Sequence, residues 1–271
     1  MSAIRTSAIL FSALLSLSCV LKAHNARLLP PNAERGYRVY QKACASCHGK
    51  DGRGKGPAAP GLYPLPRDFT RAVYRYRSTP SGSLPQDTDL LRTVAIGLPG
   101  TEMPAWRDHL TSQEMTDVVA YIKRFSGRFG EEEIDKSITV PAPTSGFTTE
   151  SIARGKEIYK RVQCGKCHGK TGKGDGWAAD KEMKDDLGRV IHARDFTKGI
   201  YASGRQKEDL YRVFVTGLDG TPMPGYENSL KPRETYDLIH YMLSLERYRG
   251  MWYWLSTPPT WHTPNKQKVR R

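Results

Sequence analysis

Apolar positions recur along the chain in two similar sets. Val118, Val119, Ile122 and Phe125 fall at helical spacing behind Thr111-Ser112-Gln113-Glu114, which reads as a capping box. Leu238, Ile239, Met242 and Leu245 fall the same way behind Pro232, a residue suited to the first turn of a helix. Upstream, Asn32 is placed to cap a helix running to about Lys42. Asp87 is placed to cap another through Ile96, with Gly97 just past its end. Strand signals are sparse, so the pattern predicts two mostly helical halves. Between them, Ser126 to Thr149 carries Glu131-Glu132-Glu133, then Pro141, Pro143 and Ser145-Gly146, with no visible period. It reads as a linker wrapping between domains.

The halves align with an offset of 120 over most of their length. Asp89-Leu90 answers to Asp209-Leu210, Gly97 to Gly217 and Tyr121 to Tyr241. An Arg-Asp-Phe-Thr element at Arg67 to Thr70 recurs at Arg194 to Thr197, where the offset is 127. The second half therefore has extra residues before this element and fewer after it, a difference expected in loops.

A chain of 271 residues suits two modest domains. No internal stretch is apolar enough to span a membrane. The first residues differ: Arg5 precedes a short apolar run, Ala8 to Leu21, in the form of a secretory signal peptide. Cleavage before Cys19 or after Ala23 are both open, and Cys19 also resembles a lipoprotein site, although Ser16 stands where a lipobox wants Leu. The formal charge of +14 is carried by scattered Lys and Arg without a nucleic-acid motif, which argues against nucleic acid and for acidic protein partners. Without residues 1–23, which carry Arg5 and Lys22, the balance is still about +12.

The remaining four cysteines form two close pairs. In an exported protein these would suggest disulfides, but a histidine follows each pair. Cys44-Ala-Ser-Cys47-His48 and Cys164-Gly-Lys-Cys167-His168 both read as C-x-x-C-H, the pattern of c-type haem attachment. Two thiols on one helical turn can reach two vinyl groups, and the histidine is carried beneath the iron. A redox C-x-x-C with an incidental histidine, or half a zinc site, is the competing reading; repetition of the motif weakens it. Candidate sixth ligands are Met103 and Met223, in Gly100-Thr101-Glu102-Met103-Pro104 and Gly220-Thr221-Pro222-Met223-Pro224. Each methionine lies 55 residues after its histidine. His109, His192, His240, Met115, Met183, Met242 and Met251 lack this matched context. Arg67 and Arg194 are candidates for pairing with haem propionates through their planar forks. The alternative is a surface arginine in a repeated turn capped by Asp68 and Asp195.

These motifs resemble class I c-type cytochromes duplicated into a dihaem form. The resemblance implies an all-α fold of two tandem domains, each wrapped around one covalently bound haem c. It also implies that the first and last helices of each domain cross at a small residue among aromatics. Gly36, Tyr40 and Tyr121 match that arrangement, as do Gly155, Tyr159 and Tyr241. The expected domains are a signal peptide at 1–26, cytochrome domains at 27–126 and 148–248 with a linker at 127–147, and an aromatic and basic tail at 249–271. The resemblance implies single-electron transfer between periplasmic or membrane-bound redox proteins, with no catalytic residue. A dihaem peroxidase, a thiosulfate dehydrogenase or a fixed subunit of a larger oxidoreductase are the alternatives. The tail, with Trp252, Trp254 and Trp261, is expected to strap over its own domain, with protein docking or membrane contact as other readings; a lipidated Cys19 is a second route to a membrane surface.

Overall fold

A computed structural model describes residues 28–179 and 183–246; the expected signal peptide, Cys19 and the tail lie outside them. The described residues are helical, with no strand beyond an isolated bridge between Lys184 and Val190. The first half contains α1 (Ala33–Ala43), α2 (Ala45–His48), α3 (Asp87–Ile96) and α4 (Ser112–Lys123). After the short α5 (Arg128–Glu131), the second half repeats the order as α6 (Thr149–Arg161), α7 (Gly165–His168), α8 (Lys207–Thr216) and α9 (Pro232–Ser244).

Local chemistry sets most helix starts where the sequence suggests. Asn32 accepts from the Arg35 amide at the start of α1, and Thr111 and Glu114 exchange side-chain to backbone bonds at the start of α4. Asp87 differs from expectation. It sits inside the first turn of α3, and Gln86 takes the cap position because the Asp89 carboxylate reaches back to the Gln86 amide at 3.0 Å.

In each half the first and last helices cross at a glycine. A methyl on Gly36 would overlap the Asp117 carbonyl, and one on Gly155 would overlap the Asp237 carbonyl. Tyr40 and Tyr121 pack 5.2 Å apart at the first crossing, and Tyr159 and Tyr241 pack 5.3 Å apart at the second. Such ring pairs contribute about 0.5–1.5 kcal/mol beyond the area they bury. A buried carboxylate ties each crossing: Arg35 forks onto Asp117 at 2.7 and 2.8 Å, and Arg154 onto Asp237 at 2.7 and 3.0 Å.

Two apolar cores result. One gathers Tyr40, Phe69, Leu90, Val118 and Ile122; the other gathers Tyr159, Phe196, Leu210, Leu238 and Ile239. The stretch between the halves adheres to both. Phe129 and Ile134 pack on the first core, and Ile138, Val140 and Phe147 on the second. The Ile138 amide donates to the Ser78 carbonyl at 2.7 Å, and the Tyr236 hydroxyl donates to the Pro141 carbonyl at 2.7 Å.

Arginines of the first half meet acids of the second. Arg77, whose side chain is fully buried, donates to the Thr216 carbonyl at 3.1 Å and to Asp219 at 2.8 Å. Arg71 pairs with Asp186 at 2.8 Å, and Arg92 with Asp209 at 2.8 Å. Among the described residues no helix is long and apolar enough to cross a membrane.

Candidate functional site

The two C-x-x-C-H motifs occupy the same local structure. Cys44 closes α1, α2 carries Cys47 and His48 through one turn, and the His48 amide bonds the Cys44 carbonyl at 2.9 Å. The second copy repeats this geometry, with the His168 amide 2.9 Å from the Cys164 carbonyl. Buried tyrosines anchor the turn that follows. Tyr40 donates to the Gly49 carbonyl and Tyr159 to the Gly169 carbonyl, each at 2.7 Å. None of the four motif cysteines pairs in a disulfide.

The histidines are held in one tautomer. His48 Nδ1 lies 3.2 Å from the Arg67 carbonyl, and His168 Nδ1 lies 3.1 Å from the Arg194 carbonyl. A carbonyl only accepts, so Nδ1 carries the proton and Nε2 keeps its lone pair for a metal. Burial lowers both imidazole pKa values, which keeps the rings neutral. Phe69 stacks on His48 at 4.5 Å and Phe196 on His168 at 4.4 Å, fixing the ring planes.

The repeated Arg-Asp-Phe-Thr element thereby gains a use for each residue. The arginine carbonyl orients the histidine and the aspartate caps the turn, with Asp68 accepting from the Thr70 amide and Asp195 from the Thr197 amide at 2.9 Å. The phenylalanine stacks on the imidazole and its amide reaches the glycine loop, Phe69 to Gly52 and Phe196 to Gly172, at 2.7 Å. The threonine hydroxyl completes the cap at 2.6 Å in both copies. The sequence reading weighed only the arginine side chain and the aspartate cap; the repetition of all four residues was the signal for the carbonyl and the ring.

The methionine loops match bond for bond. Thr101 donates to the Leu98 carbonyl at 2.7 Å and receives the Met103 amide at 3.2 Å; Thr221 does the same with Leu218 and Met223 at 2.7 and 3.2 Å. The Leu98 amide returns to the Met103 carbonyl at 3.0 Å, and Leu218 to Met223 at 3.1 Å. Gly97 opens the first loop at φ 67°, where a methyl would press on the Met103 carbonyl at 2.6 Å.

One cavity of 710 Å³ joins both sites. Both cysteine pairs, His48, His168, Met103, Met223, Arg67 and Arg194 line it, so all ten sequence-derived site residues face the same space. Of the weaker candidates, His192, Met183 and Met242 also line it. Met115 lies in the first core, His109 packs beside Trp106, and His240 is fully buried against Ser151 and Phe147. A neutral nitrogen donor on one wall, a thioether loop in the same space and two paired thiols fit a covalently held haem in each half.

Residues 31–122 match the family model for subunit III of cbb3-type cytochrome c oxidase, and residues 152–246 match the model for cytochrome c. One chain of the Kuenenia stuttgartiensis reducing HAO-like protein complex is 41% identical, with a TM-score of 0.78. The match covers 81% of this chain and 99% of that one. The chain belongs to the cytochrome c family. It is a tandem of two class I cytochrome c domains with an all-α fold, as the duplicated motifs suggest. Cytochrome c domains carry covalently bound haem c and transfer electrons, which gives this cytochrome its general chemistry.

Proposed function

We propose that this cytochrome holds two haem c groups and relays single electrons as the dihaem partner of a larger oxidoreductase outside the cytoplasm. In this reading Cys44 and Cys47 would hold the first haem through thioethers, and His48 and Met103 would supply its nitrogen and sulfur donors, in the domain at 27–126. Cys164, Cys167, His168 and Met223 would do the same in the domain at 148–248, with 127–147 as linker. The carrying observation is the matched pair of histidine and methionine frames facing one cavity. A haem supplies reversible one-electron exchange at iron. The chain's own residues set its terms: the Nδ1–H bonds to carbonyls raise imidazole basicity, and the thioether sulfurs favour the ferrous state. With a nitrogen and a sulfur donor both supplied by the protein, each iron would favour electron transfer over turnover.

The likeness to a chain of a protein complex, across 99% of that chain, favours a bound partner over a free carrier. The basic sequence suits an acidic partner surface, with association slowed by added salt. Intact mass of the exported protein tests the core of the reading: two haem additions and no disulfide among the four cysteines are expected, and one addition or none overturns it. Met103→His and Met223→His are each expected to lower one haem potential and leave the other nearly unchanged. High-spin haem in the wild-type spectrum would instead point to an enzyme. Native purification distinguishes the bound partner, which elutes in a complex, from the free carrier, which elutes alone.

A further inference from the structure

The wall of the cavity where the two halves meet carries more positive charge than the fold neutralises. Arg67, Arg75 and Arg194 line it. Arg189 lies beside them, donating to the Pro66 carbonyl at 3.2 Å from the other half. Opposing these four guanidinium groups, Asp185 is held by Arg189 at 2.7 Å and touched by Arg75 at 3.4 Å; of the other charged residues lining the cavity, Asp195 faces Lys198 at 3.9 Å and Glu102 adds one carboxylate. The neighbouring Asp186 is engaged by Arg71. Neither Arg67 nor Arg194 makes a side-chain hydrogen bond or ion pair among the described residues, and the Arg75 Nε is buried without an acceptor. The cluster also crosses the boundary: a methyl on Gly100, in the first methionine loop, would lie 3.1 Å from the Arg194 Nη1 of the second half.

We propose that Arg75 and Arg189, with Arg67 and Arg194, form one shared cationic site that receives propionates of both haems, so that the two irons are tuned by a common set of charges. The inference rests on the two-haem reading above. Two haems bring four carboxylates, enough to balance the surplus that Asp185 leaves. Arginine's planar fork suits carboxylates from either half. Arg75 comes from the first half and Arg189 from the second, and neither has an arginine at the matching position of the other half. Sharing therefore depends on the two halves meeting here. A positive charge near the haems disfavours the ferric state, in which the iron bears one more positive charge, and so raises both potentials.

Spectroelectrochemical titration of the full-length holoprotein tests this, with haem number fixed by intact mass. Arg75→Gln and Arg189→Gln should each lower both midpoint potentials, and Arg75→Lys and Arg189→Lys should restore most of the shift. Asp185→Asn should raise both, a reversal that mere loosening of this wall would not produce. If each substitution shifts only the haem of its own half, or neither, while two haems remain bound, the shared site is wrong. If the wild-type mass lacks two haems, the underlying reading fails instead.

Discussion

Asp89 and Asp209 occupy equivalent positions in the two halves and do different work. Asp89 serves its own domain, accepting from the Ser78 amide at 2.9 Å and the Gln86 amide at 3.0 Å. Asp209 faces outward to the other domain and takes the Arg92 guanidinium at 2.8 Å. Burial raises the Asp209 pKa, and Arg92 and Arg212 oppose the rise. The same division runs through the molecule. Residues around the haem frames repeat nearly atom for atom, whereas the contacts that join the halves are not repeated: Arg92 crosses to Asp209, while its counterpart Arg212 stays with Asp209 in its own half. His48 to Arg67 spans 19 positions and His168 to Arg194 spans 26, while Thr70 to Asp89 spans 19 and Thr197 to Asp209 spans 12. Each half thus carries seven surplus residues, on opposite sides of the shared tetrapeptide. Asp185 and Asp186 lie in the longer loop of the second half and Arg77 in the longer segment of the first; these segments supply much of the ionic contact between the halves. Duplication conserved the cofactor frame, and asymmetry made the joint.

The sharpest way to break this contrast is Arg77→Ala. It removes a fully buried cation and leaves Asp219 only the Gly82 amide and Ser81 hydroxyl as donors, so the loss should approach, from below, the cost of about 3–5 kcal/mol for a buried pair broken from one side. Calorimetry of the holoprotein should show one transition separating into two; an unchanged single transition would mean the joint is held elsewhere. Next come Gly36→Ala and Gly155→Ala. Both methyls would meet a backbone carbonyl, so each should destabilise its own half by about 1–3 kcal/mol, equally in the two halves. A large inequality between them would show that the frames are less alike than their geometry.

His240 provides a smaller, pH-dependent difference, because the first half has Ala120 there. Burial first, then Lys207 and Arg154, lowers the His240 pKa, with Asp237 opposing. The unfolded chain, at about 6.5, then binds a proton more readily than the folded one. Stability of the second half should be full above that value and fall as pH drops below it, until the folded pKa is passed. In His240→Ala the slope of melting temperature against pH between about 6.5 and 5 should flatten, whatever constant offset the lost side chain adds. An unchanged slope would assign the acid sensitivity to other groups. The smallest effect expected is for Arg92→Ala. Its side chain is 39% exposed, so the loss should stay below about 1 kcal/mol in chemical denaturation.

What was legible in the sequence divides along the same line. The haem motifs, the methionine loops, the glycine crossings and the caps at Asn32 and Thr111 are local, and duplication prints each of them twice. Asp87 was misread because capping by Asp89 depends on a side chain reaching back three residues to an otherwise ordinary Gln86. The Arg75–Asp185 and Arg77–Asp219 contacts join residues 110 and 142 positions apart, with no repeat to mark them. The stretch after Ser126 looked like a linker because its apolar residues lack a period. It has none because it passes from the first core, at Phe129 and Ile134, to the second, at Ile138, Val140 and Phe147, rather than lying along one.

The 142 positions separating Arg77 from Asp219 also have a temporal meaning. At typical synthesis rates of about 5–20 residues per second, the first domain emerges roughly 7–30 s before its buried arginine can meet its acid. During that interval its segment at Arg71 to Gly82 faces water with its cations unmatched. The joint at Arg77 therefore forms only once both halves of the chain have been made.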